Sequence, residues 1–120
     1  MRKYSGNRSG RIADKIHKDI VAILRQKVKD PRVLWVTISE VEVSDDYSIA
    51  KIYWTTIEDD KKKSIAKALE AATGFIRSEL SQGFKTYTIP QLRFIYDDSL
   101  ERGSKILNII DKIASNDEKE

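Results

Sequence analysis

The sequence predicts an α+β domain in which a three-stranded mixed sheet carries helices packed on one face, and three observations predict it. The apolar periodicities run in the order helix, strand, strand, helix, strand, helix. The first two strands are joined by the short polar turn DDYS, so they must pair antiparallel. The second and third are separated by a long helical segment, which favours a right-handed crossover to a parallel strand. At 120 residues the chain suits a single domain, 1–120. That length buries about two thirds of the surface its unfolded chain would expose.

In SGRIADKIHKDIVAILRQKV the residues Ile12, Ile16, Ile20, Ile23, Leu24 and Val28 recur at helical spacing. Ser9 is placed to cap this helix and Asp30-Pro31 to stop it. LWVTISEVEVS alternates Leu34, Val36, Ile38 and then shifts phase to Val41 and Val43, the pattern of a strand bulged near Ser39 or Glu40. YSIAKIYWTTI, rich in β-branched and aromatic residues, is the second strand. Asp59 or Asp60 can cap the next helix, whose stripe runs Ile65, Ala68, Leu69, Ala72, Ile76 and Leu80 before Gly83 ends it.

Gly74 interrupts that helix chemically, because glycine in a helix interior costs about 1 kcal/mol relative to alanine. A bend, a close packing contact or the approach of a ligand to the backbone would each justify it. The stripe passes through Gly74 without changing phase, which favours one bent helix over two. QLRFIYD then reads as the third strand, with Pro90 at its entrance where a missing N–H is tolerated. SLERGSKILNIIDKIASN closes the chain as an amphipathic helix bearing Ile106, Ile109, Ile110 and Ile113. A short basic arm, about 1–8, precedes these elements, and a charged tail, about 115–120, follows them.

Net charge is +3, but residues 1–29 hold nine basic side chains against Asp14 and Asp19, a local balance of +7. A one-sided basic segment is the footprint of a polyanion partner, most often nucleic acid, although a solvated helix face has the same composition. Arg11, Lys15 and Lys18 follow i, i+4, i+7 spacing and share one face. Lys61, Lys62 and Lys63 read as a solubilising helix start.

Catalytic chemistry finds little support. The chain has no cysteine, which excludes disulfides and thiolate zinc sites and fits a reducing cytoplasm. No run approaches the roughly 20 apolar residues of a membrane span. His17 is the sole histidine and has no identifiable nucleophile partner. The pairs Asp45-Asp46 and Asp97-Asp98 could hold a divalent metal, yet both sit in turns where Asp is common for backbone reasons. No phosphate-cradling G-x-x-x-x-G-K-[ST] loop occurs. Trp35, Tyr53, Trp54, Tyr87, Phe94 and Tyr96 could stack on bases, though strand aromatics more often cover a core.

Over essentially its whole length the chain resembles the bacterial ribosome-binding factor A family. The resemblance rests on KDPRV at 29–33, VTISEVEVSDDYSIAKIYW, AATGFIRSEL and, above all, IPQLRFIYDDSLERG at 89–103. It implies a type II KH-like fold with a bent helix pair in place of the GXXG loop. An Ala-x-Gly element makes the bend in that family, matched by Ala72, Thr73 and Gly74. It further implies a cytoplasmic, non-catalytic monomer that binds the free 30S subunit and assists late maturation of 16S rRNA. No cofactor, membrane or small-molecule substrate is expected, and a role in growth at low temperature is.

Charge and the KH resemblance together nominate RNA-binding residues. They are Arg2, Lys3, Arg8, Arg11, Lys15 and Lys18 on the arm and first helix, Arg77 and Lys85 beside the glycine, and Arg93 on the third strand. A KH-like module binding single-stranded RNA outside ribosome assembly is the alternative, weakened by the absent GXXG. A small metal-dependent nuclease is the third reading.

Overall fold

The computed structural model describes residues 8–84, 88–99 and 101–103. Helix α1, Arg8–Gln26, buries Ala13, Ile16, Ile20, Ile23 and Leu24, the stripe its periodicity required. Both of its ends differ from expectation. Ser9 lies inside the first turn rather than capping it. The helix closes four residues before Asp30, with the N–H groups of Lys27 and Val28 both donating to the Ile23 carbonyl.

Asp30 has a different task. Its carboxylate accepts from the Arg32 N–H at 3.0 Å and caps a 3₁₀ turn, Pro31–Trp35, that Pro31 opens. The Arg32 guanidinium folds back onto the same carboxylate at 2.6 Å and reaches Ser64 at 3.2 Å. These hydrogen bonds hold the Asp30 carboxyl below its ordinary range. Leu34 and Trp35 consequently belong to the 3₁₀ turn and not to the strand in which the alternation placed them.

Strand β1, Thr37–Val43, pairs antiparallel with β2, Ile49–Thr55, and β3, Gln91–Tyr96, adds parallel to β2, giving the order β1-β2-β3. The expected bulge is present. Ile38 opposes Trp54 and Glu40 opposes Tyr53, leaving Ser39 as the extra residue. Its hydroxyl donates to the Asp97 carboxylate at 2.7 Å, tying β1 to the end of β3 and drawing the Asp97 carboxyl below its usual range.

The β1–β2 turn is organised by Asp46. One of its oxygens accepts from the Ser44 and Ser48 hydroxyls, both at 2.7 Å, and from the Ser48 N–H at 3.1 Å. Tyr47 beside it takes a left-handed φ of 60°, rare for a bulky residue, and packs its side chain against the core. The hydroxyl donors lower the Asp46 carboxyl to about 2 from 3.8. A depressed folded pKa stabilises above the unfolded value and is lost as pH falls through the folded one. The melting-temperature gap between parent and Asp46→Ala should therefore be constant above about pH 5 and shrink between about pH 4 and 2. A gap that stays constant across that window would show that the charge contributes nothing.

Helix α2, Lys62–Ser81, is one uninterrupted element across Gly74. Asp59 and Asp60 do not cap it; they form a 3₁₀ turn, Asp59–Lys61, and the helix starts from Lys61 without a side-chain cap. Its Ile65, Ala68, Leu69, Ile76 and Leu80 are buried, and Gly83 follows its end with its N–H on the Leu80 carbonyl. Of the closing helix, residues 99 and 101–103 are helical. Ile106, Ile109, Ile110 and Ile113, the charged tail and residues 1–7 of the basic arm lie outside the described residues.

Register decides which side of the sheet each side chain takes. The rows Val41-Ile52-Phe94 and Val43-Ala50-Leu92 face the helices and join the core, while Glu42-Lys51-Arg93 forms a row on the opposite face.

Candidate nucleic-acid interface

The exposed side of α1 follows from its buried side. With Ile16, Ile20 and Leu24 facing the sheet, helical geometry turns Arg11, Lys15, Lys18 and Arg25 to solvent. Lys15 pairs with Asp19 at 3.1 Å and its ammonium sits 5.0 Å from the centre of the Phe84 ring. Lys18 pairs with Asp14 at 3.5 Å. Exposed i, i+4 pairs of this kind are loose and worth little, so they leave the cations available to a stronger anion. None of the ion pairs among the described residues involves Arg11 or Arg25. Arg25 was not among the nominated residues, although it continues Arg11 and Lys18 at seven-residue intervals; that spacing was the available signal. Lys27, by contrast, reaches across to Glu79 on α2 at 3.6 Å.

The nine nominated residues do not form one patch. Arg93 projects from the outer face of the sheet, opposite the helices, because its neighbours Leu92 and Phe94 turn inward. Lys51 lies in register with it, and Lys51 in turn approaches Glu42 at 4.0 Å. Arg77 is committed to structure: its guanidinium donates to the carbonyls of Ile89 at 2.7 Å and Pro90 at 3.3 Å, bracing α2 against the entrance of β3. Arg8 opens α1. Arg2, Lys3 and Lys85 lie outside the described residues.

At the Ala72-Thr73-Gly74 motif the Thr73 hydroxyl donates to the Leu69 carbonyl at 2.8 Å, a back-bond that tends to bend helices. Gly74 is exposed, and a Cβ built on it would meet nothing within 4 Å. Close packing therefore does not explain the glycine, and the overpacking that alanine would have caused in a tight site is ruled out. Phe75 beside it is 47% exposed. Gly74→Ala is expected to stabilise the fold by about 1 kcal/mol and raise the melting temperature by several degrees. A lower melting temperature in thermal unfolding would show that the helix needs glycine's freedom there.

The aromatics divide in two. Trp54 is buried, with the Tyr96 ring edge-on at 4.9 Å, and Phe94 packs against the core. Lys62 lies 3.8 Å from the Tyr96 ring centre, and the Tyr96 hydroxyl donates to Glu101 at 2.7 Å. Burial first, and the Glu101 carboxylate second, raise the Tyr96 phenol above its ordinary value. Tyr87 lies outside the described residues. Trp35 differs from this group: it is 44% exposed and carries the Lys61 ammonium 4.3 Å from its ring centre. His17 is half-buried with Nε2 3.2 Å from the Ile38 carbonyl oxygen, so it joins α1 to β1. No helix among the described residues is long and apolar enough to cross a membrane.

This arrangement offers positive charge along one exposed face of α1, with an exposed aromatic near the end of the helix. A family model described as ribosome-binding factor A matches residues 8–110. Ribosome-binding factor A of Chromobacterium violaceum is 40% identical over 115 residues, 96% of this chain and 83% of that protein. The crystal structure of ribosome-binding factor A from Thermus thermophilus matches with a TM-score of 0.66 at 19% identity, over 75% of this chain and 97% of that one. A homology model of the Thermus thermophilus factor, fitted into a cryo-electron microscopy map of its complex with 30S, matches with a TM-score of 0.54 at 21% identity. It covers 76% of this chain and 92% of that one.

Proposed function

We propose that this chain, which belongs to the ribosome-binding factor A family, binds the free small ribosomal subunit and assists late maturation of its 16S rRNA without catalysing a reaction. The observation that carries the reading is the exposed basic face of α1, presented by the same fold as a Thermus thermophilus factor that was fitted into a map of its 30S complex. Ribosomal RNA presents dense phosphate, and a row of cations spaced along a helix meets it without further ordering of the backbone. On this reading the protein works in the cytoplasm as a monomer, contacts 16S rRNA directly and needs no cofactor.

Sedimentation with free small subunits, complete ribosomes and isolated single-stranded oligonucleotides tests it. Retention on free subunits above that on complete ribosomes is expected. Equal retention on both particles would defeat the preference, and binding to oligonucleotides but to neither particle would identify a KH-like RNA module with another target. Cells lacking the protein are expected to accumulate unprocessed 16S precursor, and normal processing would remove the maturation role.

A further inference from the structure

Three of the four large apolar side chains exposed among the described residues converge at the C-terminal end of α1: Leu34 at 62%, Trp35 at 44% and Ile57 at 90% exposed. They rim a cavity of about 270 Å³ lined further in by the buried Leu24 and Val33. Apolar side chains scattered singly over a surface need no explanation, but a cluster around a cavity marks a contact. Folding does not require this one. The 3₁₀ turn that Asp30 and Pro31 start carries Leu34 and Trp35 out to solvent while Val33, on the same turn, enters the core.

Charge decides the occupant. Arg25 lines the same cavity, and Lys61 sits above Trp35. From Arg25 the row continues through Lys18 to Arg11, about 21 Å along the helix at 1.5 Å per residue. An apolar platform at the end of a cationic row matches a chain that alternates flat apolar rings with phosphates. Single-stranded RNA is such a chain, whereas a duplex hides its base faces. The cavity falls just below the roughly 300–1,000 Å³ of pockets for drug-sized ligands, a size suited to one base. We propose that the Leu34-Trp35-Ile57 platform receives an unpaired base of the RNA whose phosphates run along α1. This inference rests on the proposed function and names where that RNA is unstacked.

Trp35→Ser and Ile57→Ser test it, with Trp35→Phe as the conservative variant and thermal melting as the check on folding. Affinity for small subunits and for a ten-nucleotide unstructured RNA should fall about tenfold or more in both serine variants, the loss of one stacked base. It should recover largely in Trp35→Phe, and the salt slope should stay at the parent value because no charge is removed. The same RNA should quench the parent's tryptophan emission and leave that of Trp35→Ser, which reports only the buried Trp54, unchanged. A duplex of equal length should quench neither. If folded serine variants bind as the parent does while glutamine replacements of Arg11, Lys18 and Arg25 weaken binding, the platform is wrong and the function stands. If the parent binds neither subunits nor RNA, both fall. A parent that sediments as a dimer beside a monomeric Trp35→Ser would make the platform a self-association surface and overturn the proposal.

Discussion

Replacing Arg11, Lys18 and Arg25 together by glutamine is expected to weaken binding to the small subunit and to make it less sensitive to salt. Each cation withdrawn from a phosphate should flatten the slope of log K against log salt by about 0.7 to 0.9, so by about 2 to 3 for the three. Between low and physiological salt the affinity gap between parent and variant should therefore narrow as salt rises. The three side chains are exposed, and the one ion pair broken among the described residues, Lys18 with Asp14, is of the exposed type worth about 0–1 kcal/mol. Circular dichroism and melting should stay close to those of the parent. A variant whose affinity and salt slope both match the parent would reduce the basic face to ordinary solvated surface.

Leu69→Ala should produce the largest loss of stability. Leu69 is fully buried in α2, and truncating it leaves a cavity that the surrounding core can fill only in part. Such changes cost about 2–5 kcal/mol, a large share of the roughly 5–15 kcal/mol that holds a domain folded. Phe75→Ala on the same helix removes a larger side chain that is 47% exposed, and should cost much less. Urea unfolding with an unchanged m value would measure both. Equal costs at the two positions would mean that α2 does not pack as described.

The sequence by itself determined the element order, the antiparallel β1–β2 pair with its bulge at Ser39, the parallel β3 and the buried stripes of α1 and α2. These are periodic properties: a side-chain repeat of 2 or 3.6 residues, a turn too short to be anything but a hairpin, a crossover long enough to be parallel. Tertiary structure decided what local pattern cannot carry. Asp30 caps a 3₁₀ turn through Arg32, so Trp35 leaves the strand that its alternation suggested and comes to lie beneath Lys61, 26 positions on. Arg77 is taken up by two carbonyls at the entrance of β3, and Arg93 is carried to the face opposite α1 by a β2–β3 register that sets it beside Lys51. Gly74 reads as a packing or bending position in sequence, and only the empty space around it removes packing from the choice. A side chain's periodicity states whether it points inward; whether an outward cation is free or spent depends on which distant backbone and carboxylate groups the fold brings within about 3 Å.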